Sequence, residues 1–275
     1  MKQFDPQILK EVHHLSKTSH KGQNGKLTIV GGSKLFHGAS LWALKVSSRI
    51  VDMVFYASTD ENNNLSQELK GQLYDFIAVP RGKASSYIEE SDVVLIGSGL
   101  PREEGREEGE ESTKELTQSL IEQFPNKKWV LDAGSLQTID VNLLKKLNGN
   151  VLLTPHHKEF QQLFGAEATD ESVKWAADQY GCVILLKGPT DIVCSTTECV
   201  LVTGGNVGMT KGGTGDVLAG LVAGLACKND LFVAAQVGSY INKKAGESLF
   251  ERVGPYFNAS DLCDEIPKVM KQLLS

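Results

Sequence analysis

Gly204-Gly205-Asn206-Val207-Gly208-Met209-Thr210-Lys211-Gly212-Gly213-Thr214-Gly215-Asp216 runs without a break into Val217-Leu218-Ala219-Gly220-Leu221-Val222-Ala223-Gly224-Leu225. The first half is a glycine-rich loop whose backbone reaches positive φ and approaches a ligand closely. The second half is apolar and built of small residues, which predicts a buried helix beginning near Asp216. A helix that starts behind glycines offers unpaired N–H groups and the positive end of its dipole, an anion site suited to phosphate. A carboxylate in that place repels phosphate, so Asp216 reads as a base that takes a proton from an attacking hydroxyl. Asp is also a preferred N-cap residue, and on helix statistics alone that reading stands level with the first. Two nucleotide motifs are excluded. No Gly-x-x-x-x-Gly-Lys-[Ser/Thr] occurs, and Leu218 stands where a dinucleotide fingerprint needs its third glycine.

Outward from this loop the chain alternates. Apolar runs predict strands at 26–30, 53–57, 76–79, 93–96, 129–131, 151–153, 183–186, 192–195 and 200–203. Helical patterns fall at 36–50, 116–124, 158–164, 172–180, 231–250 and 260–274. Strand, glycine turn, helix is the unit of a parallel sheet, so the rhythm predicts an α/β fold in one domain, 1–275, with an N-terminal arm over 1–20. Asn242-Lys243-Lys244, inside the 231–250 helix, is expected to face solvent. The charged segment 102–115 reads as a solvated loop or helix start rather than a metal site. His20 and His37 read as local hydrogen-bonding residues beside turns.

The 275 residues carry 28 basic and 34 acidic side chains, a net charge of −6 that argues against a nucleic-acid surface. No apolar run reaches the length of a membrane span, and no apolar core follows Met1-Lys2, so neither membrane insertion nor a secretory signal is expected. The five cysteines, Cys182, Cys194, Cys199, Cys227 and Cys263, show no Cys-x-x-Cys spacing. They read as buried or incidental thiols in a reducing cytoplasm.

Asn206-x-Gly208-Met209 followed by Gly212-Gly213-Thr214-Gly215-Asp216-Val217-Leu218 resembles the signature of ADP/ATP-dependent NAD(P)H-hydrate dehydratases, of the ribokinase-like superfamily. Further blocks follow in the family's order from about residue 19 to 246: Lys21-Gly22-x-x-Gly25, Gly31-Gly32-Ser33 with Gly38-Ala39, Gly97-Ser98-Gly99-Leu100-Pro101, Asp132-Ala133-Gly134, Thr154-Pro155-His156-x-x-Glu159-Phe160, and Lys187-Gly188-Pro189-Thr190-Asp191. The resemblance implies a three-layer αβα fold with a mostly parallel central sheet. It implies Asp216 as catalytic base and the amides of Gly212, Gly213, Thr214 and Gly215 as the anion hole. Ala39, Gly99, His156, Glu159 and Asp216 would meet the hydrated nicotinamide, and Lys187, Gly188, Pro189, Thr190 and Asp191 would lie along the adenine nucleotide. Asn206 belongs to the signature, and Asp132 would shape the phosphate end through magnesium or water, with helix capping as its other reading. This chain departs from the usual family residues at Ser98, Pro101, His157 and Lys158.

The implied activity is repair of hydrated NADH or NADPH: ADP or ATP, with Mg2+, phosphorylates the ring hydroxyl and phosphate is then eliminated. The family implies a homo-oligomer, commonly a tetramer, in the cytoplasm, working alongside a separate NAD(P)H-hydrate epimerase. A hydroxyethylthiazole or hydroxymethylpyrimidine kinase of the same superfamily shares the Gly-x-Gly-Asp device, and a non-catalytic nucleotide-binding protein is the alternative of another class.

Overall fold

The computed structural model describes residues 1–68, 75–102 and 111–275. Its strands are β1 (Lys2–Gln3), β2 (Lys26–Val30), β3 (Met53–Ser58), β4 (Ile77–Pro80), β5 (Val93–Ile96), β6 (Lys128–Leu131), β7 (Val151–Leu153), β8 (Val183–Leu186), β9 (Asp191–Cys194) and β10 (Cys199–Val202). They form one sheet in the order β1-β10-β9-β8-β7-β6-β5-β2-β3-β4. Neighbours from β8 through β4 all pair in parallel. β9 runs antiparallel to both β8 and β10, and β1 lies parallel to β10 at the edge.

The helices are α1 (His37–Ser47), α2 (Asp60–Glu68), α3 (Ala84–Glu90), α4 (Thr113–Gln123), α5 (Ala133–Thr138), α6 (His157–Phe164), α7 (Asp170–Tyr180), α8 (Thr214–Ala226), α9 (Leu231–Val253) and α10 (Ala259–Leu274). Alternate strand residues point to opposite faces. Leu27, Ile29, Val93 and Leu95 therefore join a core with α1, α8, α9 and α10. Val30, Val94, Ile96 and Leu131 pack on the other side against α3, α4, α6 and α7. Both faces are covered, which is why the central strands are almost continuously apolar. The result is the three-layer α/β architecture expected. α8 is buried nearly throughout, and at Gly220 a Cβ would lie 2.5 Å from the Ala43 carbonyl, so α1 crosses it at backbone contact. Among the described residues no helix is long and apolar enough to cross a membrane.

Several expectations change. Cys194 and Cys199 are not free thiols but a disulfide, because β9 and β10 pair with these two residues directly opposite, their Cα atoms 4.1 Å apart. Cys182, Cys227 and Cys263 are buried and free. Lys243 does not face solvent: it is buried, as is Asn242, on the side of α9 turned toward the sheet. α2, α3 and α5 were not expected, since Asp60–Glu68 is almost wholly polar and the other two are short. Of the charged segment 102–115, residues 103–110 lie outside the described residues, and α4 begins at Thr113.

Candidate active site at the carboxyl ends of the strands

The strand order reverses about β2, whose partners are β3 on one side and β5 on the other. In open α/β sheets ligands bind outside the carboxyl ends of the strands at such a switch point. The glycine loops after β2 and β5 meet here. The Gly32 amide donates to the Ser98 carbonyl at 2.9 Å, and a Cβ on Gly99 would lie 2.4 Å from the Phe36 carbonyl. This places Gly99 against the loop that leads into α1, with Ala39 in that helix's first turn. Gly97, at φ 123°, has space for no side chain: a Cβ there would sit 1.8 Å from the Asp132 carbonyl, so the loops after β5 and β6 touch.

Asp132 follows β6 and is buried. It occupies the N-cap position of α5 but makes no capping bond. Its carboxylate instead accepts from Ser98 Oγ (3.1 Å), Thr154 Oγ1 (2.8 Å) and Lys187 Nζ (3.0 Å). Lys187, after β8, also lies 3.9 Å from Glu159 Oε2. Burial alone would lower its pKa, but Asp132, Glu159 and Asp216 outweigh that and hold it above the ordinary lysine value. A Cβ on Gly215 would stand 3.4 Å from Lys187 Nζ, so this ammonium lies directly beside the glycine-rich loop.

That loop enters α8 through Gly213, the N-cap, at φ 91°. A Cβ at Gly213 would strike the Trp42 ring at 2.3 Å, so both the turn and the indole against it require glycine. Thr214 Oγ1 ties the loop down by donating to the Met209 (2.7 Å) and Lys211 (2.9 Å) carbonyls. The first backbone bond of the helix runs from Val217 to the Gly213 carbonyl. The amides of Gly213 and Gly215 ahead of it have no intrahelical partner. Gly212 opens outward, with nothing within 4 Å of a Cβ built on it.

Asp216 is therefore the third residue of α8 and not its N-cap. Burial, then repulsion from Asp132, pushes its carboxyl up to about 7, against the pull of Lys187 and Ser98. Two carboxylates and one ammonium thus gather beside the start of α8, whose first amides lack intrahelical partners. The set can take up a proton near neutral pH and hold an anion at the same time.

The other expected residues divide. His156 and Glu159 form a capping box: His156 Nδ1 accepts from the Lys158 and Glu159 amides, and Glu159 Oε2 accepts from the His156 amide at 2.9 Å. Glu159 is buried and its second oxygen takes Gln137 Nε2 at 2.9 Å, whereas the His156 ring is exposed. Pro189 and Thr190 are exposed in the turn between β8 and β9. Asp191 is turned inward, accepting from the Gly188 amide (2.9 Å) and Ser239 Oγ (2.7 Å), so it fixes the turn. Asn206 Oδ1 accepts from the Gly208 amide at 2.9 Å, while its amide nitrogen is buried without a partner among the described residues.

The departures have local consequences. Ser98 adds the hydroxyl that joins Asp132, and the Pro101 carbonyl accepts from Thr113 at the start of α4. His157 packs near Gly188, with its Cε1 3.2 Å from a Cβ built there. The sequence reading passed over Thr154 and Lys243 as site residues. Thr154 was visible beside Pro155, and Lys243 continues a polar stripe through Gln236 and Ser239 at helical spacing.

A family model described as NAD(P)H-hydrate dehydratase matches residues 27–268. The chain belongs to the NAD(P)H-hydrate dehydratase family. It is 33% identical over 271 residues to the bifunctional NAD(P)H-hydrate repair enzyme Nnr of Methanocaldococcus jannaschii, covering 96% of this chain and 51% of that protein, so it spans about half of that relative's length. To the ADP-dependent (S)-NAD(P)H-hydrate dehydratase of Cenarchaeum symbiosum it is 33% identical, over 96% of this chain and 94% of that one. The fold is that of the ADP/ATP-dependent NAD(P)H-hydrate dehydratase of Bacillus subtilis co-crystallised with ATP/Mg2+, with a TM-score of 0.82 at 24% identity over 99% and 98% of the two chains. A ribokinase-like superfamily protein of Enterococcus faecalis shares it as well, with a TM-score of 0.84 at 21% identity over 99% and 96%.

Proposed function

We propose that this chain restores hydrated NADH or NADPH by phosphoryl transfer from ADP or ATP followed by loss of phosphate. The observation that carries the reading is the position of Asp216, a carboxylate held near neutrality in the first turn of α8, behind the Gly213 N-cap and within the field of Lys187 and Asp132. The names of its relatives set the substrate class: an ADP-dependent (S)-NAD(P)H-hydrate dehydratase is 33% identical over nearly the whole chain.

In this reading Asp216 takes the proton of the ring hydroxyl, and the oxygen forms a bond to the terminal phosphorus. The bond to the nucleotide's bridging oxygen breaks, releasing AMP from ADP or ADP from ATP. The Gly212–Gly215 segment and Lys187 carry the charge of the transferring group. The ring carbon–oxygen bond then breaks with its electron pair leaving on phosphate, and the adjacent ring carbon loses a proton as the double bond forms. Ala39, Gly99, His156 and Glu159 would border the nicotinamide, with Pro189 and Thr190 beside the nucleotide.

Among the described residues no three His, Cys, Asp or Glu side chains gather into a metal cage, and both Asp132 oxygens are already bonded. Asp132 would be the residue to help hold a magnesium ion that arrives with the nucleotide. Bound there, the ion would neutralise phosphate charge. The same reading extends to a cytoplasmic homotetramer served by a separate epimerase, and light scattering on the purified chain tests the assembly.

Hydrated NADH mixed with the protein and ADP or ATP decides the function. Recovery of dihydronicotinamide absorbance is expected. A phosphorylated product that accumulates without elimination would identify a kinase of the same superfamily instead, and no consumption of nucleotide would indicate a binding protein.

A further inference from the structure

We propose that Lys243 is a positioning residue for the nucleotide, tying the turn after β8 to the turn after β10 and so fixing their separation. The inference rests on the reading that an adenine nucleotide lies along those turns. Lys243 sits on α9 with its side chain only 6% exposed. Its ammonium donates to the carbonyls of Gly188 and Pro189, each at 3.1 Å, and of Gly204 at 3.4 Å. The fourth neighbour is Asp191 Oδ1 at 3.3 Å, the same oxygen that accepts from the Gly188 amide. Two of the carbonyls belong to the turn that carries Lys187, and the third to the glycine-rich segment that leads to the anion loop.

One helical turn further on, Glu247 accepts from the Gly205 amide at 2.9 Å and is itself held by Lys244 at 2.7 Å. α9 thus grips the second turn by a carbonyl and an amide, with one cation and one anion. Gly204 and Gly205 take φ of 109° and 79°, a backbone that has little local order of its own and needs external holding. Packing does not require a charge here. A buried ion pair exchanged for apolar groups of like volume is often neutral in stability, so what this ammonium adds is a fixed geometry. A lysine with three donors can bridge two chains of carbonyls, and no apolar residue can.

The test compares the parent with Lys243→Met and with the double variant Lys243→Met/Asp191→Asn, which leaves no unpaired buried charge. ADP or ATP affinity is measured by titration calorimetry without the hydrate, and the two KM values are measured by turnover. Both variants should melt as folded proteins and bind nucleotide about tenfold or more weakly, the size of one charged hydrogen bond. The KM for the hydrate at saturating nucleotide should stay within about twofold of the parent. Folded variants that bind nucleotide like the parent would overturn the inference alone, as would an equal rise in both KM values. A parent that binds no nucleotide would overturn the functional reading and this inference with it.

Discussion

Asp216 is the residue on which the proposed chemistry turns. Its carboxyl, ordinarily near 3.8, stands at about 7 because burial and Asp132 oppose its ionisation more than Lys187 favours it. A base must be ionised to work, so kcat/KM should climb with pH and level off above about 7. The same shift bears on stability. Between the unfolded and folded pKa values the native protein retains a proton that the unfolded chain has released, so the contribution is full at low pH and is lost as pH rises through about 7. Asp216→Asn should therefore stabilise the protein at pH 8 by on the order of 1–4 kcal/mol, a gain that fades toward pH 4, as urea titrations at the two pH values would measure. Sequence left Asp216 between two readings, base or cap, and the helix register removes the second, because Gly213 is the N-cap. Asp132 was less legible. Whether an aspartate after a strand caps the next helix or turns inward depends on Thr154 and Lys187, which arrive from strands 22 and 55 residues away.

At the scale of elements, the strands were legible because residues buried on both sheet faces must be apolar, and β5 and β8 fell at their predicted bounds. α2 offered no such signal, since its nine residues include one leucine. α9 misled in the opposite sense. Its apolar positions marked the packed face correctly, but the polar residues between them, Gln236, Ser239 and Lys243, are buried as well, bonding carbonyls and the Asp191 carboxylate rather than water. The β9–β10 hairpin escaped the cysteine reading because pairing depends on cross-strand register, and the register sets Cys194 against Cys199. Closing so short a loop constrains the unfolded chain modestly. The double variant Cys194→Ala/Cys199→Ala should lose about 2 kcal/mol by denaturant titration under non-reducing conditions, with turnover retained.

At the scale of the molecule, six strands deliver loops to one edge of the sheet, and the site exists only because their order reverses at β2. The glycine-rich loop gave an anion site as an expectation from sequence alone, and alternation announced the α/β fold that the structure has. Strand order was not readable from residues, since it is a property of long-range pairing, and it entered through resemblance. The whole arrangement stands on one claim, that Asp216 activates an alcohol for attack on a phosphate resting at the head of α8. The most direct measurement is the rate at which Asp216→Ala restores dihydronicotinamide absorbance from hydrated NADH, with ADP or ATP binding measured in parallel. The account predicts a rate lower by roughly 10²–10⁴-fold with nucleotide still bound, the usual loss on removing a general base. A folded variant that restores the cofactor at the parent rate would contradict it.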